Sequence, residues 1–315
     1  MKMLVTGAAG FIGAYVIHEL LRREHRVLAL VRASAPDRWS QLDNLEIMRV
    51  DLREPRFLDL REKGIDVVLH LAAATQGPRD QQFDNTVTGT AHLLSAVRAA
   101  GIQRLVGISS IAVLDYRSVR PVSVIDELVA VSDDAGVGDY TAAKISQERL
   151  FGDFASEPGN SCIILRPGLV YDNVRLTPGH AGIVRPHLAL LASHRGEVAT
   201  VEVHGLAAAI ANAAERHFAG YEVIHVVDDD LPSQSEYIDA LQRRGLLPRT
   251  TIVIPWRILQ GVSGFSATVL AALGFQGRQP EVLLPKAFAA RLKPFRFSNA
   301  KAKQLLDWIP GRQFA

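Results

Sequence analysis

A short apolar run at residues 3–6 leads straight into Thr6-Gly7-Ala8-Ala9-Gly10-Phe11-Ile12-Gly13, and a helical apolar period then occupies residues 11–23. A strand joined to a helix by so short a glycine turn is the opening of a βαβ unit, whose next strand must lie parallel to the first. Apolar runs at 27–31, 45–50, 67–71, 105–108 and 162–165 continue the pattern. They have the composition of strands buried on both faces. Between them, helices are expected at 57–63, 83–100 and 140–154, with Gly101 and Pro158-Gly159 punctuating the last two. The fold class is therefore α/β with a mostly parallel sheet.

The alternation weakens beyond about residue 166, where Pro178, Pro186, Pro232, Pro248, Pro255, Pro280, Pro285 and Pro294 cut the chain into shorter pieces. A helix at 205–217 and a strand at 223–227 look able to rejoin the first unit. The expected organisation is a first α/β domain over 1–170, rejoined by 200–228, with a smaller interleaved region formed by 171–199 and 229–315. A chain of 315 residues that is 48% hydrophobic can bury a core of that size.

Charge and special residues exclude several classes. With 35 basic against 33 acidic residues, a formal charge of +2 and no basic run, nothing resembles a nucleic-acid groove. The single cysteine, Cys162, excludes an internal disulfide framework; its neighbours Ile163, Ile164 and Leu165 mark it as a buried strand thiol in a reducing compartment. Gly7, Gly10 and Gly13 interrupt any signal-peptide core, so a cytoplasmic protein is expected. Residues 258–275 carry no charge over eighteen positions, near the lower limit for a membrane span, but their glycines, serines and Gln260 favour a buried helix over membrane contact. His18, His70 and His204 have no ligand-spaced partners, and no metal is expected.

A glycine turn between strand and helix lets the backbone approach a pyrophosphate, while the helix N-terminus offers unpaired N–H groups to its charge. The Gly-x-x-Gly-x-x-Gly spacing differs from Gly-x-Gly-x-x-Gly, and it is the position after residues 3–6 that favours binding over close packing alone. Arg32 stands at the end of the second strand, where an NAD site would place an acid. It suits a 2′-phosphate, hence NADP ahead of NAD, and its other reading is a solvated loop arginine near Asp37. Asp51 can accept from an adenine amino group or cap the turn before Arg53-Glu54-Pro55. Tyr140 and Lys144, four apart, share one helix face, so an ammonium can sit beside a phenol of pKa ~10 and favour its ionised form. Such a phenol exchanges a proton with a carbonyl or an alcohol. Alone, Tyr-x-x-x-Lys is also an ordinary helix surface.

Taken in order, the glycine turn, Asp51-Leu52, His70-Leu71-Ala72-Ala73, Gly89-Thr90, Ser109-Ser110, Tyr140 to Lys144, Leu165-Arg166-Pro167, and finally Phe297-Ser298-Asn299-Ala300-Lys301-Ala302 with Leu306-Asp307-Trp308-Ile309-Pro310 resemble the extended short-chain dehydrogenase/reductase superfamily. The resemblance implies a Rossmann-type doubly wound parallel sheet holding NAD or NADP, with a smaller C-terminal domain shaping a substrate cleft. It implies Tyr140 as acid/base, Lys144 as the residue that holds the nicotinamide ribose and tunes the phenol, and Ser110, with Val113 three residues on, as hydroxyl donor to the substrate oxygen. It sets Gly7, Gly10, Phe11, Ile12, Gly13, Arg32, Asp51, Leu52, Leu71, Ala72, Ala73, Lys144 and Pro167 against the dinucleotide. It also implies a homodimer formed through helices near 83–100 and 140–156.

The departures narrow the chemistry. Thr86 occupies the place of an asparagine that supports a helix bend and a proton relay in many relatives, with Asn85 one residue earlier. Leu169 replaces an asparagine that contacts the diphosphate side of nucleotide-sugar substrates, Tyr171-Asp172-Asn173 replaces Tyr-Gly-Pro, and Ile111-Ala112 replaces the Asp-Glu pair of dehydratases. The leading expectation is an oxidoreductase similar to the 3β-hydroxysteroid dehydrogenase and dihydroflavonol reductase branches, acting on a secondary alcohol or ketone. A nucleotide-sugar 4-epimerase, with a diphosphate clamp drawn from Arg175, Arg185, Arg243, Arg244 or Arg257, is the alternative. A dinucleotide-binding regulator is the third.

Overall fold

The structure is a computed structural model and describes residues 1–54, 58–133, 137–177, 182–185, 187–193, 196–248, 250–255, 258 and 293–311. Seven strands form the main sheet: β1 (Lys2–Thr6), β2 (Arg26–Val31), β3 (Leu45–Arg49), β4 (Val67–His70), β5 (Arg104–Ile108), β7 (Ser161–Pro167) and β12 (Gly220–Val226). Their order is β12-β7-β5-β4-β1-β2-β3 and every pairing is parallel. The smaller strands are β6 (Val124–Ile125), β8 (Leu169–Tyr171), β9 (Gly182–Arg185), β10 (Leu188–Ser193), β11 (Thr200–Glu202), β13 (Thr251–Pro255) and β14 (Arg296–Phe297). The helices are α1 (Phe11–Arg22), α2 (Arg79–Phe83), α3 (Gly89–Ala99), α4 (Asp139–Ala155), α5 (Val203–Glu215), α6 (Gln234–Arg243) and α7 (Ala300–Leu306).

Period-two alternation along each strand divides the core. Met3 and Val5, Val27 and Ala29, Val67 and Leu69, Val106 and Ile108, and Ile224 and Val226 point to one face, where Val16, Ile17 and Leu20 of α1, Leu206 and Ile210 of α5, and Trp308 cover them. Leu4, Leu28, Val68, Leu105, Cys162 and Ile164 point to the other, under Leu93, Leu94 and Val97 of α3 and Phe151 and Phe154 of α4. Cys162 is fully buried, as its neighbours imply. After the excursion through β8 to β11, the chain returns to this layer with α5 and lays β12 along β7.

From β1 the chain winds outward to β3 on one side, and from β4 to β12 on the other, so the crevice between β1 and β4 is the switch point above the strands' C-terminal ends. Three shorter sheets accompany it: β13-β10-β9, β11-β8 and β14-β6. The first packs through Ala189 and Leu191 against Tyr237, Ile238 and Leu241 of α6, whose start is fixed by a Ser233/Glu236 capping box. A further core of Val113, Leu114, Tyr116, Ile125, Ile145 and Phe295 joins the segment after β5 to α4 and β14.

One expected element is absent. Residues 58–63 form no helix: Leu58 and Leu60 are buried with exposed Asp59 between them, and Glu62 and Gly64 adopt φ of 60° and 62°. Phe57 lies outside the described residues. The expected helix at 83–100 is three segments, α2, a π-helical turn at Asp84–Thr88, and α3. Residues 259–275 of the uncharged stretch fall outside the described residues. Among those described, no helix is long and apolar enough to cross a membrane.

Candidate active site

The glycine turn is held by contacts that leave no room for side chains. Gly7 has φ 65°, and a Cβ there would lie 2.8 Å from Ala72 N and 2.9 Å from Leu71 C, so the loops after β1 and β4 touch backbone to backbone. A Cβ on Gly13 would lie 2.2 Å from Gly7 O. Gly10 donates its N–H to Gly7 O at 2.9 Å, and α1 begins with no side-chain cap. An uncapped helix start fed by so close a turn is a cradle fitted to a pyrophosphate. Phe11 and Ile12 begin α1, and Leu71 and Ala72, followed by Ala73, meet Gly7 from the β4 side.

Arg32 leaves the end of β2 exposed, with Nη1 donating to Asn85 Oδ1 at 2.7 Å. Asp51 follows β3. It accepts from Arg53 N at 3.0 Å and Arg53 Nη2 at 2.6 Å, and this pairing holds its carboxyl below the usual range. The turn at 52–54 leads to no described helix, so Asp51 organises a turn. Leu52 adjoins it, its carbonyl accepting from His92 Nδ1 at 2.8 Å. Pro167 is buried at the end of β7.

Tyr140 and Lys144 lie one turn apart at the start of α4, beside the end of β5. Lys144 is buried, its ammonium donating to Ile108 O and Gln147 Oε1, both at 2.8 Å. Burial pulls it down to about 7, with Glu148 acting upward. The half-buried Tyr140 is pushed above the usual phenol range by burial, and its hydrogen bond with the Ser110 hydroxyl acts the other way. Thus the cation expected to ionise the phenol is turned instead toward two carbonyl oxygens, and the phenol stays protonated at neutral pH. Ser110 Oγ also accepts from Ala112 N at 3.1 Å, which fixes the turn after β5. The neighbouring Ser109 is buried with its hydroxyl unpartnered.

Behind these groups runs a buried polar network that the motif reading missed. Thr6 Oγ1 lies 2.6 Å from His70 Nδ1 and accepts from Ala72 N at 3.2 Å. His70 Nε2 lies 2.8 Å from Thr90 Oγ1, which accepts from Gln147 Nε2 at 2.8 Å. Gln147 thereby joins Lys144 to the residue that opens the glycine turn. Burial lowers His70 to about 3, so the ring is neutral. Thr86 Oγ1 accepts from Ala74 N at 3.0 Å, and its carbonyl accepts from the Thr90 hydroxyl. The helix bend therefore survives without asparagine, through a π-turn pinned to the β4 loop.

A strap from the smaller region reaches the rim. Asp172 accepts from Val174 N at 2.8 Å, from Arg175 N, and from Tyr15 Oη of α1 at 3.2 Å. Arg175 lies over the Phe11 ring at 4.5 Å. Of the five clamp candidates, Arg175 meets the glycine turn; Arg243 and Arg244 close α6, the Arg185 side chain and Arg257 lie outside the description, and Leu169 is half-buried against the α6 core. Among the described residues, no group of three His, Cys, Asp or Glu side chains could hold a metal ion.

Residues 3–203 match the model of a family described as the NAD dependent epimerase/dehydratase family. The chain is 30% identical to a 2-alkyl-3-oxoalkanoate reductase of Stenotrophomonas maltophilia, over 71% of this chain and 66% of that protein. It is also 30% identical to a UDP-glucose 4-epimerase of Mycolicibacterium smegmatis, over 58% of this chain and 61% of that one. In fold it is similar to the UDP-glucuronic acid 4-epimerase from Bacillus cereus solved in complex with NAD, with TM-score 0.71, 19% identity, and coverage of 99% and 94% of the two chains.

Proposed function

The chain belongs to the NAD-dependent epimerase/dehydratase family and is an enzyme of the extended short-chain dehydrogenase/reductase type, and we propose that it interconverts a secondary alcohol and the matching ketone. The observation that carries this reading is the hydrogen bond between Tyr140, at the start of α4, and Ser110, just past the end of β5, with burial holding the phenol above its usual range. A protonated phenol is the acid that ketone reduction needs. When bound, the nicotinamide supplies or accepts the hydride. Ser110 steadies the carbonyl oxygen while Tyr140 gives it a proton, and in the reverse direction Tyr140 takes the alcohol proton. Two of the three Lys144 donors are fixed by Ile108 O and Gln147 Oε1, which leaves one for the nicotinamide ribose or the phenol. Gly7, Gly10, Phe11, Ile12 and Gly13 would hold the pyrophosphate; Asp51, Leu52, Leu71, Ala72, Ala73 and Pro167 line the rest of the dinucleotide. Arg32 favours NADP through its 2′-phosphate. The working form is a homodimer paired through α3 and α4.

Tyr140→Phe keeps the ring and removes the proton. Ketone-reducing turnover should fall by about 100-fold or more while dinucleotide affinity stays within a few-fold. Turnover within a few-fold of wild type would remove Tyr140 from the chemistry.

Arg175 favours a second reading, a nucleotide-sugar 4-epimerase in which it clamps a diphosphate near Phe11. An epimerase regenerates its cofactor each cycle, so tightly retained NAD in the purified protein supports this reading and free exchange supports the first.

A further inference from the structure

Asn85 and Thr86 are consecutive residues in the π-turn, so their side chains leave it in different directions. Thr86 points inward, 1% exposed, and fixes the β4 loop through Ala74 N. Asn85 is half-buried and turned instead toward Arg32. Its Nδ2 donates to Gln81 O at 2.7 Å, and its Oδ1 accepts from Arg32 Nη1 at 2.7 Å. These partners define the amide orientation, because a flipped amide would set oxygen against the Gln81 carbonyl and NH2 against the guanidinium.

Arg32 comes from the end of β2 and Asn85 from the helix that follows β4, and β1 with its glycine turn lies between those strands. The Arg32–Asn85 bridge thus spans the adenosine end of the crevice. Asp51, at the end of β3, feels the Arg32 charge but is already paired with Arg53. A neutral amide holds a guanidinium in place without cancelling its charge, whereas a carboxylate would compete with an incoming phosphate. The guanidinium has five N–H donors in a planar fork, and among the described residues its hydrogen bond to Asn85 engages one of them, which leaves the others to meet an anion.

From this arrangement we infer that Asn85 is a positioning residue that holds Arg32 ready for the 2′-phosphate, and so sets the discrimination between NADP and NAD. The inference rests on the reading of Arg32 given above, and it assigns a specific use to the asparagine that stands one place before Thr86.

The test measures NADPH and NADH dissociation constants, by nucleotide fluorescence at fixed ionic strength, for the full chain and three variants. Arg32→Ala should reduce NADPH affinity by more than 10-fold and leave NADH affinity within about two-fold. Asn85→Ala should weaken NADPH by about 5- to 10-fold with NADH unchanged. Asn85→Asp, nearly isosteric, should weaken NADPH further, because the new carboxylate pairs with Arg32 and repels the phosphate. NADH binding, which uses the rest of the same site, reports folding in each case. If Arg32→Ala leaves the NADPH to NADH ratio unchanged, the assignment of Arg32 fails. If it abolishes the preference while both Asn85 variants retain it, the role of Asn85 alone is overturned. Equal weakening of both nucleotides by the Asn85 variants makes Asn85 a structural residue and likewise overturns the inference.

Discussion

Lys144 is an ammonium in a buried pocket whose fixed partners are oxygens of Ile108 and Gln147. Such a charge is stable only while those acceptors stay in place, so Gln147 governs how readily it ionises. Gln147→Glu places a carboxylate against it and should move the Lys144 titration upward by about one pH unit or more; Gln147→Leu removes an acceptor and should move it down. Side-chain NMR of the nucleotide-free protein, assigned through Lys144→Met, reads both shifts, and movement in the same direction would discard the idea. Tyr140 and Lys144 are legible in sequence because a spacing of four fixes a shared face. Gln147 is not, since a glutamine on a helix reads as solvent-facing until His70 and Thr90, from two other elements, are seen to converge on it, with Thr6 behind His70. The available hint was its spacing of three from Lys144. The positions of Tyr15 and Asp172 depend on the strap and carry no local signal at all.

Among elements, strands of the main sheet announce themselves because burial on both faces demands unbroken apolar, largely β-branched runs, and β1, β2, β4, β5 and β7 appear within a residue or two of where those runs lie. The expected helix at 57–63 failed for an equally physical reason. Burial at Leu58 and Leu60 is a strand-like interval of two, and left-handed backbone at Glu62 and Gly64 ends any helical run. The π-turn before α3 was foreshadowed only by Thr86 standing in an unusual place. At the glycine turn, packing rather than flexibility is decisive. Gly13→Ala would drive a methyl into Gly7 O, costing about 1–3 kcal/mol and displacing the α1 start. Chemical denaturation should show that loss, with dinucleotide binding falling alongside it; unchanged binding would mean the turn does not carry the phosphates.

At the scale of the whole molecule, three of the described buried groups tie stability to pH on the acid side of neutrality. His70 and His225 are each lowered to about 3 by burial, so between about pH 4.5 and 6 the unfolded chain binds two protons that the folded one refuses. Asp228, raised to about 7 by burial, works in reverse and holds a proton in the folded state that the unfolded state releases. The balance is about one proton, so stability should decline by roughly 1.4 kcal/mol for each pH unit lost in that window. Asp228→Asn deletes the opposing group and should steepen the decline toward two protons; urea titrations at pH 5 and 6 compare the slopes, and an unchanged slope would show Asp228 ionised in the fold. The return of the chain to the main sheet was legible from the apolar strand near 223–227, whereas the three small sheets were hidden because their strands are short and interrupted by proline. Trp308 lies 2% exposed and donates its indole N–H to Gly205 O at 2.7 Å, and with Leu306 it roofs the same face as α1. Residues 300–308 must therefore be in place before the apolar face shared with α1 can close, and a chain ending short of them would leave that face partly uncovered.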